Sequence, residues 1–468
     1  MFYHYQKILL VKLLELYSFY SLRSVLVIIF VLSLGFGDKD AFSIYTTFVI
    51  GGDIISIIGG YFGDKLLTRR ISWIIGSVFS IFGYLYAYKH FTPDAISIGL
   101  IFSGIGLGLC RCNSNVIIND YIQREIQKDE RHNHNGIFHV TTIFALFLGF
   151  VINGFVLKYG KPELVFISSA IAFSLSLIIF LFFEFQNIKS DIVTTFHKNY
   201  KKIFQVIIAL IGAMIFCKSL YLYQNYITTL ILVFVAISTI FLWIITKNYP
   251  SRDRQSVLSL LLYIPFYLIY LSFEKQLDLG FSLFLLRNVN KSVFGYEIPS
   301  QIITSSFSVG ILLVTYIFYR KSVYSYLKHH SVLTYGLLCS LLYFSINYLS
   351  CILYPESGVN ILLPIASLFF LGLADVLIVP RMYSLCRNAP ENIKSISASL
   401  MMLSHGSGFY IAGQLAKFIA IDKNKLDLVH DMLIYKNGFF YLIIINLLVL
   451  IGVFIITRFH IGNLLTRR

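Results

Sequence analysis

Apolar stretches long enough to cross a lipid bilayer recur along the whole chain, and short polar segments separate them. A helix needs about 20 predominantly apolar residues to span the hydrocarbon core. Continuous runs of this length favour helices over a membrane β-barrel, whose strands alternate over about 10 residues. With 57% hydrophobic and 13% charged residues, the chain is too apolar for a soluble domain. We therefore predict an all-α membrane protein.

Hydropathy predicts about fourteen spans. They are roughly residues 8–34, 41–62, 71–89, 95–118, 137–157, 163–185, 203–223, 226–246, 256–286, 299–319, 331–353, 359–385, 392–420 and 436–458. A long polar interruption follows the sixth span. We expect residues 1–188 to form an N-terminal six-helix bundle, 189–254 to hold linkers and two inserted spans, and 255–468 to form a C-terminal six-helix bundle.

The basic residues lie mainly in alternate short loops, although the formal net charge of +15 could also suggest a nucleic-acid partner. The loops on one side hold about 20 Lys and Arg, roughly twice the number on the other. By the positive-inside rule the basic side is cytoplasmic, so both termini are expected in the cytoplasm. No nucleic acid is expected as a partner.

The first span carries three ionisable residues, Lys12, Glu15 and Arg23, on one helical stripe with Tyr20 at its edge. Charges at this depth are costly, so they normally face a bundle interior or a water-filled cavity. The alternative is a structural ion pair that holds helices together.

A charged motif, GGYFGDKLLTRR, follows the second span at residues 59–70. It fits the spacing G-x-x-x-D-x-x-x-G-R-R, with Thr68 in place of the last Gly, and its matching positions are Gly60, Asp64, Arg69 and Arg70. Glycines allow close helix approach, and Asp64 can pair with a cation or a helix N-terminus. The alternative is an ordinary charged turn. The motif resembles the signature of the major facilitator superfamily, which implies two six-helix halves around a central site.

A narrower resemblance covers nearly the whole chain. Five segments resemble, in order, motifs of the proton-coupled oligopeptide transporter family: ELYSFYSLRSVL (15–26), GLGLCRCNSNVIIND (106–120), FEKQ (273–276), FGYEIPSQ (294–301) and the stretch 371–408. Bacterial members insert two extra spans between the halves, as this chain does. The resemblance implies the major facilitator fold with two added helices.

The resemblance also implies roles for individual residues. A peptide presents a carboxylate and an amine, and Arg23 and Arg111 are the candidates for the carboxylate because guanidinium pairs bidentately. Asp375 is the candidate for the amine. Tyr20 and Tyr45 are further candidates for substrate contact, although anchoring at the membrane interface is the commoner use of tyrosine.

Glu274 falls on the family's seventh-span acid, which pairs with the arginine at position 23 to close an outer gate. Protonation of Glu274 would break that pair and couple protons to transport. Glu15 is a second candidate proton carrier. For each residue the alternative is a static buried pair.

The first-span motif departs from the family pattern E-x-x-E-R, because the chain reads Lys12-Leu-Leu-Glu15-Leu16. Asp53 stands where the family has a tyrosine. We hypothesise that Lys12 and Asp53 pair and so restore the charge balance; Asp53 is a proton carrier if it is unpaired.

These observations together predict a symporter that imports di- and tripeptides with protons by alternating access. We expect no cofactor, protons as the coupling ion, small peptides and membrane lipids as partners, and a monomer in the cytoplasmic membrane of a bacterium. Two alternatives stay open: the same fold carrying another small solute, and a non-transporting receptor. The absence of a P-loop and of hydrolase motifs argues against an ATP-driven pump and an enzyme.

Overall fold

The computed structural model describes residues 2–125, 131–196, 200–222, 240, 244, 251–320, 329–387, 394–421 and 427–456. Long helices dominate this part of the chain. Their bounds are α1 Phe2–Arg23, α2 Leu26–Ile28, α3 Asp38–Tyr61, α4 Arg69–Lys89, α5 Pro93–Glu125, α6 Arg131–Tyr159, α7 Leu164–Phe196, α8 Tyr200–Leu222, α9 Ser251–Glu274, α10 Gly280–Asn288, α11 Ser300–Arg320, α12 His329–Leu353, α13 Leu362–Arg387, α14 Lys394–Ala416 and α15 Leu428–Ile456.

Eleven helices within the described residues are long and apolar enough to cross a membrane. They coincide with eleven of the predicted spans. Of the other three, the span at 226–246 falls outside the described residues except at 240 and 244, and the spans at 256–286 and 392–420 correspond to α9 with α10 and to α14. The helical membrane fold is confirmed, and the count of about fourteen stays a prediction.

The chain forms two compact units. The first comprises residues 1–35 and 44–224, and the second comprises residues 36–43 and 225–468. The first turns of α3, from Asp38 to Ser43, therefore belong to the second unit. Helix α8 belongs to the first unit, which extends beyond residue 188. The domain boundaries at 188 and 254 stay predictions.

Glycines let helices pack closely in the first unit. A Cβ atom added to Gly76 on α4 would lie 2.6 Å from the carbonyl oxygen of Gly106 on α5, so neither position has room for a side chain. Helix α8 joins the same core through Val206, Ala213 and Cys217, which pack with α3, α4 and α5. Helix α8, which corresponds to the first of the two predicted inserted spans, is thus an integral part of this unit.

The core of the second unit is built from α9, α12, α13 and α15. Helix α9 contains Pro265 and ends in a single 3₁₀ turn, Lys275–Asp278, before α10 begins. Beyond α10, strands β2 (Ser292–Val293) and β3 (Tyr296–Glu297) form a hairpin. Its two turn residues, Phe294 and Gly295, have φ of 51° and 82°, as a two-residue type I′ turn requires.

A second pair of short strands joins two distant parts of this unit. Strand β1, Val289–Asn290, pairs in parallel with β4, Val359–Asn360. The pairing ties the end of α10 to the segment between α12 and α13.

Candidate functional site

Lys12 and Glu15 on α1 form a buried ion pair. The Lys12 ammonium lies 2.7 Å from Oε1 of Glu15, and the two side chains are 2% and 3% exposed. The ammonium also donates to the hydroxyl of Ser114 on α5 at 2.7 Å, and that hydroxyl donates to Glu15. On the other carboxylate oxygen, Oε2, Glu15 accepts a hydrogen bond of 2.9 Å from the indole of Trp73.

Every hydrogen bond to Glu15 uses a carboxylate oxygen as acceptor, so protonation would weaken this network. Trp73 is itself held by Phe180, whose ring centroid lies 4.3 Å away. The hypothesis that Lys12 pairs with Asp53 is wrong. Lys12 lies on the same helix as Glu15, three residues away, and that spacing brings the two side chains together without help from a second helix.

Asp53 on α3 pairs instead with Arg111 on α5. Nη1 of Arg111 donates to Oδ1 of Asp53 at 2.6 Å. The Asp53 side chain is 4% exposed and that of Arg111 is 19% exposed. The guanidinium also lies over the ring of Phe19, with its Cζ 4.3 Å from the centroid. Arg111 is thus positioned by one carboxylate and one aromatic face, while its fork of five N–H groups has further donors.

Arg23 is the last residue of α1, where the helix breaks before α2 begins at Leu26. Its side chain is buried, and its Cζ lies 5.6 Å from the ring centroid of Tyr20. Tyr45 on α3 is fully buried. These three predicted site residues belong to the first unit with Lys12 and Arg111.

In the second unit, Glu274 at the end of α9 pairs with its neighbour Lys275. Both side chains are buried, and the ammonium lies 2.6 Å from Oε1. The ammonium also lies 4.9 Å from the ring centroid of Phe409 on α14. Lys275 is a site residue that the sequence argument passed over, although it stands inside the quoted segment FEKQ.

Asp375, near the middle of α13, is buried in the second unit. The hydroxyl of Tyr270 on α9 donates to its Oδ1 at 3.3 Å. Tyr270 is fully buried, so this bond gives its hydroxyl a partner away from water.

The charged motif after α3 forms two sets of ion pairs in the first unit. Arg69 bridges Asp64 on the turn that extends α3 and Asp120 on α5, at 3.0 and 3.1 Å. Thr68 caps α4 by accepting a hydrogen bond from the backbone N–H of Ile71. Asp64 therefore pairs with a cation. This is one of the two kinds of partner expected from the sequence, the other being a helix N-terminus.

Arg70 bridges two acids of α7. Its Nε lies 2.6 Å from Glu184, which is 3% exposed, and its Nη1 lies 3.4 Å from Asp191. Glu184 also accepts hydrogen bonds from Tyr121 and Asn187. A cleft of about 430 Å³ lies along this network.

Gly60 does not serve close helix approach, because a Cβ atom there would meet nothing within 4 Å. The close approaches of this segment fall on its neighbours. A Cβ atom on Gly59 would lie 2.8 Å from the carbonyl oxygen of Gly108, and one on Gly63 would clash with the Asn113 side chain. The glycines of this segment therefore do allow close approach, at Gly59 and Gly63, whereas Gly60 faces open space.

The part of the chain that the structure describes contains no group of three His, Cys, Asp or Glu side chains placed to hold a metal ion. Several residues that sequence reasoning missed complete the clusters above. They are Phe19, Trp73, Ser114, Asp120, Tyr121, Glu184, Asp191 and Lys275. Ser114 could have been found from the sequence. It stands three residues after Arg111 on one helix, and this spacing places both side chains on the same face.

Comparison with known protein families identifies the class of protein to which this chain belongs. The model of the Major Facilitator Superfamily matches residues 8–413. The chain therefore belongs to the major facilitator superfamily, whose fold and family are those of transporters and not of enzymes.

The relatives narrow the class. The chain is 21% identical over 455 residues to dipeptide and tripeptide permease B of Aliivibrio fischeri, covering 93% of this chain and 90% of the relative. It is 19% identical over 444 residues to dipeptide and tripeptide permease A of Proteus mirabilis, covering 92% and 89%. The resemblance to the proton-coupled oligopeptide transporter family is confirmed.

Solved structures share the fold. Tetrameric PepTSo2 superposes with a TM-score of 0.83 at 15% identity, covering 98% of this chain and 99% of that one. A POT family transporter in complex with 5-aminolevulinic acid gives a TM-score of 0.78 at 18% identity, covering 97% and 96%.

Proposed function

We propose that this protein imports di- and tripeptides together with protons by alternating access. Peptide transport is supported by its permease relatives. The observation that carries the proton-coupled form of the proposal is the pair of Arg111 and Asp53.

Arg111 suits the carboxylate of a peptide. It is fixed by Asp53 and by the face of Phe19, and only one of its N–H groups donates to Asp53. A preorganised guanidinium gives up little conformational entropy when a carboxylate binds.

In this scheme Asp53 supplies the coupling through its pair with Arg111, and not as the unpaired proton carrier that the sequence suggested. Its negative charge competes with the peptide carboxylate for the same guanidinium. Protonation of Asp53 removes that competition, so a proton and a peptide bind more tightly together than either does alone. Glu15 is the weaker candidate proton carrier, because Lys12, Ser114 and Trp73 already occupy its oxygens.

The remaining site residues keep the roles that the family resemblance implies. Arg23 assists with the carboxylate and Asp375 takes the amine, with Tyr20 and Tyr45 as further contacts. Glu274 acts in gating, and its pair with Lys275 gives the carboxylate a second state in which its charge stays compensated. Asp64, Arg69 and Arg70 act as the cytoplasmic gate motif.

We propose the protein as a monomer in the bacterial cytoplasmic membrane with both termini inside. The distribution of basic residues among the loops supports this orientation. No cofactor is required, because the proton gradient supplies the energy.

One observation favours a second candidate, the non-transporting receptor. Lys12 replaces the first carboxylate of the family motif and binds the second one, Glu15, in a buried pair. A chain with this pair could bind a peptide without moving protons. The alternative of another small solute that has both a carboxylate and an amine uses the same residues.

Purified protein in proteoliposomes tests the proposal. We expect labelled di- and tripeptides to accumulate when the outside is acidified. Uptake that an imposed proton gradient leaves unchanged would remove the symport claim. Peptide binding without counterflow exchange would select the receptor, and accumulation of an amino-acid derivative in place of peptides would select the other solute.

A further inference from the structure

A buried charge cluster lies in the second unit, away from the residues discussed so far. Arg287 at the end of α10 donates to both carboxylate oxygens of Asp38 in the first turn of α3, at 2.7 and 2.8 Å. The Asp38 side chain is 1% exposed, and it also accepts a hydrogen bond of 2.9 Å from the backbone N–H of Ile421. Asp38 is therefore the bidentate counter-ion of Arg287.

A second carboxyl group shares this environment. Asp431, in the first turn of α15, is 4% exposed, and among the described residues its Oδ1 has no hydrogen-bond partner. Arg287 and Asp38 both act electrostatically on Asp431. Two buried acids thus share one guanidinium, and the bidentate geometry assigns that guanidinium to Asp38.

A buried ionised carboxylate without a partner is costly, and a proton removes the cost. We propose that Asp431 holds a proton while Arg287 is paired with Asp38, and that this proton passes to Asp38 when Asp38 withdraws and Asp431 takes over Arg287. The three side chains then form a proton-linked exchange of ion-pair partners. One acid is always paired with the arginine.

The other groups around Asp431 are compatible with this exchange. His430 and Asp427 on the same segment act on it as well, with opposite signs. Tyr435 follows one turn later, and its buried hydroxyl acts electrostatically on Arg287. Its ring packs on Phe284 of α10, with centroids 5.1 Å apart, so the hydroxyl stays close to the cluster. The N-terminus of α15 favours an anion at Asp431, which helps the second state once Arg287 arrives.

The exchange moves the proton between the two acids and leaves the number of bound protons unchanged, because Asp38 is as buried as Asp431 and carries the same cost once it leaves Arg287. The balance between the two states therefore does not depend directly on pH. The use of this proton in transport rests on the proposed symport, whereas the exchange itself does not.

Infrared difference spectroscopy of the purified full-length protein in lipid tests the proposal, because the carbonyl stretch of a protonated carboxyl group is separate from the carboxylate bands. At neutral pH we expect a protonated-carboxyl band that Asp431→Asn removes. Asp38→Asn should remove the same band, because Arg287 then pairs with Asp431. The exposed Asp427, one turn before Asp431, provides the control, and Asp427→Asn should keep the band.

Two results would overturn the proposal. A wild-type spectrum that Asp431→Asn leaves unchanged would mean that Asp431 is ionised. A band that persists in Asp38→Asn would mean that Arg287 does not change partner. If Asp431→Asn does not fold, the Asp38→Asn spectrum decides alone. No peptide is used, so a failure of peptide uptake and a failure of this exchange are distinguishable.

Discussion

Arg111 and Asp53 lie on neighbouring helices of the first unit, with Nη1 2.6 Å from Oδ1. This distance gives a strong charge-assisted hydrogen bond, and the pair is mostly shielded from solvent. The proposed function requires that protonation of Asp53 breaks this ion pair.

Replacement of Asp53 by Asn should uncouple transport from the proton gradient. The amide keeps the shape of the side chain but has neither a charge nor a proton to exchange. We expect counterflow of a labelled dipeptide to persist while acid-driven accumulation is lost. Asp94→Asn, at an exposed position of α5, is the matched control and should accumulate normally. Acid-driven uptake that survives in Asp53→Asn would place the coupling proton elsewhere.

Replacement of Arg111 by Lys should weaken peptide binding while the charge is kept. An ammonium cannot lie flat on Phe19 or bind a carboxylate bidentately. The loss of about 1.5–3 kcal/mol, typical of a hydrogen bond to a charged group, corresponds to about a tenfold to hundredfold rise in Kd. Titration of a dipeptide against the purified variant measures this rise. An unchanged Kd would exclude Arg111 from the peptide site.

The pair of Lys12 and Glu15 should stabilise the fold only as a pair. Removing one partner leaves a buried charge, so Lys12→Met and Glu15→Gln should each lower the free energy of unfolding by about 3–5 kcal/mol. The double variant should lose clearly less than the sum of the two. Unfolding measurements in detergent on the wild type, the two single variants and the double variant complete this double-mutant cycle. Additive losses would show that the two side chains act independently.

The two arginines of the charged motif should differ in their effect on stability. Arg69 is 38% exposed and its partner Asp64 is 58% exposed, so Arg69→Ala should cost less than about 1 kcal/mol. Arg70→Ala leaves the buried Glu184 without its cation and should cost about 1.5–3 kcal/mol. Thermal unfolding ranks the two variants. Equal losses would contradict the difference in burial.

Neighbouring glycines provide a further matched pair. Gly60→Ala should stabilise α3 by about 0.5–1 kcal/mol, because alanine is the better helix former and the site is open. Gly59→Ala should destabilise it by about 1–3 kcal/mol, because the new methyl group meets the backbone of Gly108. Melting temperatures of the two variants should move in opposite directions, and a shared direction would refute the packing argument.

The positions of most spans were predictable, because hydropathy is a local property and lipid imposes a minimum length on each helix. The departures from hydropathy lie in the backbone inside those spans. The break after Arg23 and the π-helical segments Ile29–Ser33 and Phe62–Leu66 have no counterpart in the hydropathy pattern.

The candidate site was predictable in its residue types but not in its partners. The pair of Lys12 and Glu15 follows from spacing on one helix, whereas the expected pair of Lys12 and Asp53 rested on charge balance alone. Arg287 with Asp38 has no such signal, since 249 residues separate the two. Only the folded chain brings them together.

Trp73 gives the protein a built-in optical probe. It is one of two tryptophans in the chain, and its indole N–H is bonded to Glu15 inside an aromatic setting formed with Phe180. With Trp243 replaced by Phe, emission from the single remaining indole would follow events at the Lys12–Glu15 pair in real time, without a dye or a label.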